Sequence, residues 1–252
     1  MLDRDTVDTL ASAEDVDAMG LSHAAMSDDA IAFLGFQRTK QISPQSRKSW
    51  EAGNPVPLRQ EARDRRDDIF AGAVLESYRE YLPLRDYLAA QDIRPKSVID
   101  IGCGQAIPDL FLQRDFKPRF TLIDIERTDD QYHMWADSGA GYASLADAKA
   151  LLHDNGAAKT KVTTINPLKD PGALEGLAAD MVVSFISCGF HYPVDDYADL
   201  MVQTIEAGGV VCLDLRRRYL RRRPEGLDRV LSAGTMDVLY DDARSHRVAI
   251  RG

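Results

Sequence analysis

The chain has 252 residues, 44% of them hydrophobic, and a formal net charge of −9. That apolar fraction supports a packed core and excludes global disorder. No apolar run nears the roughly 20 residues a membrane helix needs, and the acidic N-terminus lacks the apolar stretch of a secretory signal. Three cysteines, Cys103, Cys188 and Cys212, form no CxxC pair. A disulfide framework and a cysteine zinc site are not expected, and a reducing cytoplasm is the expected setting. The acidic total argues against nucleic acid as a partner, but it is unevenly placed. Residues 1–30 hold eight acids against Arg4, while residues 31–60 hold five bases against Glu51. The total therefore describes the N-terminus more than the body.

In chain order, residues 1–20 read as an acidic, loosely held tail with a short helix on Val7, Leu10, Ala11 and Val16. Met26, Ile31, Phe33, Leu34 and Phe36 form an apolar cluster, and 37–60, with its ISPQS and GNPVP stretches, reads as loop. From Arg59 to Leu82 the apolar residues recur at helical spacing, and Pro83 is expected to break or kink that helix before a shorter one over 84–90. From Ser97 short β-branched runs alternate with helical segments. Strands are expected at 97–101, 120–125, 161–165, 180–186 and 208–215, with helices near 107–114, 143–154, 173–179 and 194–207. Residues 236–240 and 246–250, joined by DDARS, read as a closing hairpin. This pattern predicts a mostly parallel sheet covered on both faces, with one antiparallel strand at its end.

The strongest motif is Asp100-Ile101-Gly102-Cys103-Gly104-Gln105-Ala106 at the end of the first of these strands. Glycines there let the backbone turn sharply and approach a ligand. A dinucleotide fingerprint needs a third glycine where this chain has Ile107, which counts against a nicotinamide cofactor. With Asp100 before the first glycine, the motif resembles motif I of the class I S-adenosylmethionine-dependent methyltransferases, with Ala106 in place of their third glycine. The resemblance spans about 97–250. It implies a three-layer Rossmann-like methyltransferase fold: a mostly parallel seven-stranded sheet with a terminal antiparallel hairpin, plus an N-terminal helical segment. It implies S-adenosyl-L-methionine as cofactor, held by Asp100, Gly102, Cys103 and Gly104. Asp124, or else Glu126, would take the ribose hydroxyls, Asn166 the adenine, and Ser184 the methionine moiety. The expected division is 1–20 as acidic tail, 21–95 as a helical extension or lid, with Trp50 and GNPVP as wall candidates, and 96–252 as the cofactor-binding domain. Competing readings stay open: Asp100 as a loop-capping carboxylate, Asp124 as a helix N-cap, and Asn166 as a turn residue before Pro167.

The segment Ser187–Pro193 should face the transferable methyl group. His191 is the expected catalytic base, since an imidazole suits removal of a hydroxyl proton; capping the following helix is its competing reading. Phe190 and Tyr192 are candidate acceptor contacts or pocket wall. The stretch SFISCGFHYP resembles sugar and small-molecule O-methyltransferases, and the [DN]PP[YFW] signature of base-amino methylation is absent. His133 and Trp135 fall in a long link, 127–144, of a length typical of binding loops; Trp135 is a candidate acceptor or adenine cover. Six arginines in 216–223 lie on the substrate side, with Arg217 a candidate acceptor contact. They read either as a solvated face, perhaps countered by the acidic tail, or as a site for phosphate, carboxylate or RNA. His23, His153 and His246 lack partners at ligand spacing, so no metal is assigned. The expected function is methyl transfer to the hydroxyl of a small molecule. The alternatives are an RNA or protein methyltransferase docking through the arginine run, and a non-catalytic cofactor-binding module. Oligomeric state is not legible.

Overall fold

A computed structural model describes residues 2–126 and 143–252. His133 and Trp135 lie outside the described residues. Within them, eight strands form one sheet: β1 (Leu2–Asp3), β2 (Ser97–Ile101), β3 (Arg119–Ile123), β4 (Val162–Ile165), β5 (Met181–Ser184), β6 (Val210–Arg216), β7 (Thr235–Asp241) and β8 (Ser245–Arg251). Their order is β1-β7-β8-β6-β5-β2-β3-β4. The sheet is parallel except at β8, which lies antiparallel between β6 and β7. The hairpin is thus where the sequence places it, but the expected seven strands are eight. The extra strand is the tail itself, with Leu2 parallel to Tyr240.

Strand side chains alternate between two cores. Val98, Phe120, Leu122, Met181, Val183 and Cys212 join one cluster with the N-terminal helices. Ile99, Ile101, Ile123, Val182, Val211 and Leu213 join the other. Period-two alternation between two buried faces is why these strands read as continuous apolar runs.

The N-terminal region is more ordered than its composition suggests. Helices α1 (Arg4–Val7) and α2 (Ala13–Asp17) bury Val7 and Val16, and Arg79 Nε donates to the Ala11 carbonyl at 2.8 Å. The loosely held arm is corrected accordingly. Three of the acids of residues 1–30 pair within the N-terminal region: Asp8, Asp28 and Asp29 with Lys40, Arg66 and Arg59. After α3 (Asp28–Gln37), the expected loop 37–60 is largely two helices, α4 (Pro44–Glu51) and α5 (Val56–Asp64). Ser43 caps α4, and Pro44 occupies its first turn, where a missing N–H costs nothing. Helix α6 (Arg66–Ala90) then runs through Pro83 unbroken. Burial of Tyr81, Leu84 and Leu88 around the proline offsets the lost helical hydrogen bond. Beyond β2, α7 (Ile107–Phe116), α8 (Leu145–Asp154) and α9 (Ala198–Glu206) match expected helices. The helix expected at 173–179 is only a 3-10 turn, Pro171–Leu174. The arginine run forms a short helix, α10 (Arg217–Arg222), followed by α11 (Glu225–Ser232).

A buried charge network ties these layers together. Arg247 of β8 lies opposite Asp214 of β6 and bonds both its oxygens, at 2.8 and 2.7 Å. It also donates to the Glu80 carbonyl of α6 at 2.7 Å. The Glu80 carboxylate in turn receives Arg4 at 2.6 Å and Arg38 at 2.9 Å, and these cations hold its pKa down to about 2. Removing one partner of a buried pair leaves an uncompensated charge. Arg247→Met is expected to lower unfolding free energy in urea by about 3–5 kcal/mol. Adding Asp214→Asn, which discharges the stranded partner, should recover much of that loss.

Candidate functional site

The cleft opens beyond the carboxyl ends of β2, β3 and β5, where ligand crevices form in open parallel sheets. Its lining includes Asp100, Gly102, Cys103, Gly104 and Asp124 from the first two strand ends, and Ser187, His191 and Tyr192 from the segment after β5. These expected residues are therefore gathered in one place. The loop after β2 turns through left-handed conformations at Gly102 (φ 72°), Gly104 (φ 57°) and Ala106 (φ 55°). Such conformations favour glycine. Space demands it too: a Cβ on Gly102 would fall 1.8 Å from Ser187 Oγ, and one on Gly104 2.9 Å from Gln37 Nε2. The glycines thus admit neighbouring side chains as closely as the sequence expects them to admit a ligand.

Asp124 accepts from the Gly104 N–H at 3.0 Å with one oxygen and from the Glu126 N–H at 2.8 Å with the other. A carboxylate offers about four lone-pair sites, and Asp124 lines the cleft. Burial raises the Asp124 pKa to about 6, although these two hydrogen bonds oppose the rise. Asp100 and Asp109 are both buried, and neither Asp109 oxygen has a hydrogen-bond partner. Burial chiefly, and then the neighbouring Asp109 charge, raise the Asp100 pKa, and burial raises that of Asp109 to about 7.

The segment after β5 is held by its own bonds. Ser184 Oγ donates to the Ile101 carbonyl at 2.7 Å and accepts from the Cys188 N–H at 2.9 Å. It is fully buried and acts as an anchor between β2 and the loop, not as the expected cleft contact. The Ile186 N–H bonds Asp214 at 3.0 Å, and Ser187 Oγ lies 2.9 Å from the Tyr192 hydroxyl. Phe185 packs under the Arg247 guanidinium, 4.0 Å from its ring centroid. His191 projects into a cleft whose wall is fixed before any ligand arrives.

Four other expected contacts lie elsewhere. Asn166 donates to the Ile125 carbonyl at 3.1 Å and to Glu126 at 2.8 Å, and accepts from the Leu168 N–H at 3.0 Å. Those are the bonds of a turn residue, and they draw Glu126 toward Lys169, 2.6 Å away, leaving the β3 end to Asp124. Phe190 is outside the cleft lining, edge-on to His191 at 4.9 Å. Arg217 is spent on Asp241 and on the Asp242 carbonyl. Trp50 is buried against Phe33 and Phe36, at 5.8 and 5.5 Å, and is core.

The sequence reading missed the wall built by the N-terminal helices. Leu34 and Gln37 from α3, Arg38 just after it, and Ser77 from α6 line the same cleft. Arg38 pairs with Glu76 and Glu80, at 3.2 and 2.9 Å. No local pattern marks these residues, because they reach the cleft only once α3 and α6 pack on the sheet. Gln105 was legible in the motif only as a spacer. It lines the cleft at 1% exposure, with neither amide atom hydrogen-bonded, and the Ser77 hydroxyl is buried in the same condition. Buried polar groups are rarely left so. Together they offer a ligand donors and acceptors.

No family model matches the chain, and no curated protein matches it. Among solved structures it is similar to a ribosomal protein L11 methylase from Lactobacillus delbrueckii subsp. bulgaricus, at 14% identity and a TM-score of 0.42, covering 67% of this chain and 77% of that one. It is similar to the O-methyltransferase TomG from Streptomyces achromogenes, involved in tomaymycin synthesis and solved in complex with SAM, at 16% identity and 0.41, covering 68% and 79%. An O-methyltransferase family protein from Burkholderia thailandensis gives 16% identity and 0.43, covering 77% and 63%. At such identities and scores, nothing about this chain's chemistry is taken from them.

Gln105→Leu removes an unsatisfied buried amide at nearly constant volume. The ligand-free variant is expected to be more stable than the parent by about 1–3 kcal/mol in urea unfolding. Equal or lower stability would mean that the amide is satisfied within the protein.

Proposed function

We propose that the chain is an S-adenosylmethionine-dependent methyltransferase acting on a hydroxyl group of a small molecule. The observation that carries the cofactor half is Asp124. It stands 20 residues beyond Gly104, bonded to that glycine's N–H by one oxygen and to the Glu126 N–H by the other, and it lines the cleft. That arrangement suits a vicinal diol such as a ribose. The rest of the donor set fits as well. The left-handed loop at Gly102 and Gly104 forms one side, and the unsatisfied Gln105 amide offers further hydrogen bonds. When bound, the cofactor supplies a methyl group on a sulfonium centre.

The chain's residues then have three tasks. The Ser187–Tyr192 wall and the helical wall of Leu34, Gln37 and Ser77 exclude water and align the acceptor. His191, in the lining beside Tyr192, takes the acceptor hydroxyl proton as the oxygen bonds to carbon. Asp124 holds the cofactor through its hydroxyls. A macromolecule docking through 216–223 is the second reading, and the pairing of Arg217 and Arg223 with Asp241 and Asp228 weakens it.

Asp124 accepts two hydroxyls best as a carboxylate. Its raised pKa of about 6 means that a fraction of the ligand-free protein carries a proton there below neutrality. S-adenosylhomocysteine affinity is expected to rise between pH 5 and pH 7. Asp124→Asn should flatten that rise and weaken binding at pH 7 by more than about tenfold, as measured by calorimetric titration. No binding by the parent protein would sink the reading. Replacing His191 with Ala is expected to slow turnover on a hydroxyl acceptor by about 10²–10⁴ while S-adenosylhomocysteine affinity is retained. Unchanged turnover would remove His191 as base.

A further inference from the structure

We infer that Gln105 and Ser77 form a neutral hydrogen-bonding subsite in the cleft, which holds a second hydroxyl of the acceptor and so selects an uncharged, polyhydroxylated molecule. This rests on the methyl-transfer reading and narrows its substrate class.

Helix packing and the sheet bring the subsite together. Gln105 ends the glycine loop after β2 and directly precedes Ala106, the N-cap of α7. Ser77 lies on α6, whose Tyr78 and Tyr81 rings pack on Phe111 of α7 at 5.0 and 5.4 Å. That contact joins α6 to α7, and Ser77 and Gln105 both line the cleft. The loop that carries His191 follows β5, the strand next to β2, with Val182 opposite Ile99. A molecule whose reacting hydroxyl meets His191 therefore has Gln105 on the adjoining loop.

Both side chains are buried and unpaired. Gln105 is 1% exposed and Ser77 2%, and neither amide atom of the one nor the hydroxyl of the other has a hydrogen-bond partner. Groups in that condition weaken the empty protein, and a ligand that pairs them recovers the loss. An amide offers two donors and a carbonyl, enough for the cofactor and a second group at once; a serine hydroxyl both donates and accepts. The simplest ligand group that answers both is another hydroxyl. A site built to bond a hydroxyl also rejects an analogue that lacks it, because its own polar groups then stay unpaired.

The charges of the lining favour an uncharged occupant. Among the described residues, those that carry charge near neutrality are Arg38, Asp100, Asp124 and His191. Arg38 is matched by Glu76 and Glu80, at 3.2 and 2.9 Å. Burial, and then the Asp109 charge, push Asp100 toward its protonated form. Burial likewise pushes the Cys103 thiol and the Tyr192 phenol up, which keeps both neutral. In the methyl-transfer reading Asp124 holds the cofactor and His191 takes the proton. An anionic acceptor would thus meet no unmatched arginine here, and burying an unpaired charge costs far more than burying a hydroxyl that finds partners.

The test titrates the full-length protein by calorimetry, once saturated with S-adenosylhomocysteine and once without it. The probes are myo-inositol and the methyl glycosides of glucose, galactose and mannose. Saturable binding of at least one is expected. The monophosphate ester of that probe should bind at least about tenfold more weakly, and so should cyclohexanol, a ring with a single hydroxyl. Ser77→Ala should weaken the best probe by about three- to tenfold, and Gln105→Leu by at least as much, since each deletes a neutral hydrogen bond. Alanine is favourable inside a helix, so Ser77→Ala keeps the fold, and its S-adenosylhomocysteine affinity should match the parent's. No saturable binding by any uncharged probe overturns the subsite, as does unchanged binding in both variants. Equal or tighter binding of the monophosphate or of cyclohexanol also overturns it. Weaker S-adenosylhomocysteine binding by Ser77→Ala would give that hydroxyl to the cofactor, which overturns the subsite and leaves the methyl-transfer reading standing. Probe binding lost in both variants, in a protein that fails to bind S-adenosylhomocysteine, would uphold the subsite and remove the methyl-transfer reading.

Discussion

The buried contact between Arg247 and Asp214 is the constraint on which the rest of the molecule depends. A guanidinium at 2% exposure is tolerable only if its donors are occupied and its charge is matched. Asp214 matches the charge, the Glu80 carbonyl takes a further donor, and the rings of Phe185 and Tyr240 flank the cationic plane. Each of these requirements fixes an element. Asp214 sets the register of β6 against β8, and Glu80 fixes α6 against the sheet. Phe185, with the Ile186 N–H on the second Asp214 oxygen, fixes the start of the cleft loop. Through Glu80, the same network recruits Arg4 and Arg38, and so the N-terminal segment and α3. The scaffold and the wall of the cleft are therefore parts of one electrostatic arrangement.

That arrangement leaves a graded field across the site. The floor carries Asp100 and Asp124, whose pKa values burial raises. The inner wall carries Arg38, neutralised by two glutamates. A floor of carboxyl groups close to their protonation range suits hydroxyls, which either form can bond.

Much of the core was readable in advance. The runs at 97–101, 120–125 and 208–215 are apolar because they are covered on both faces, and period and flanking glycines suffice to place such strands. Asp124 was readable because strand ends and loop spacing are local properties. Ser184 and Asn166 were misplaced for a common reason. Position in a motif locates the backbone, but a side-chain polar atom goes to the nearest unpaired peptide group. Ser184 found Ile101 and Cys188, and Asn166 found Ile125 and Leu168. The loop expected at 37–60 failed differently. Its Ser-Pro start is itself a helix-initiating signal, and it was outweighed by the glycine and prolines that follow.

The opening net charge of −9 takes its meaning from the tertiary structure. By itself the sequence determined the alternating architecture, the glycine turn after β2, Asp124 at the end of β3, and the closing hairpin, because periodicity, turn chemistry and strand ends act over a few residues. Only the tertiary structure decided that the acidic N-terminus is an eighth strand with its Arg4 on Glu80, and that Gln37, Arg38 and Ser77 complete a cleft more than twenty residues distant in the chain. It alone set two buried charges opposite each other. Those outcomes depend on desolvation and pairing between distant segments, and no local pattern encodes which charge will meet which partner once water is removed.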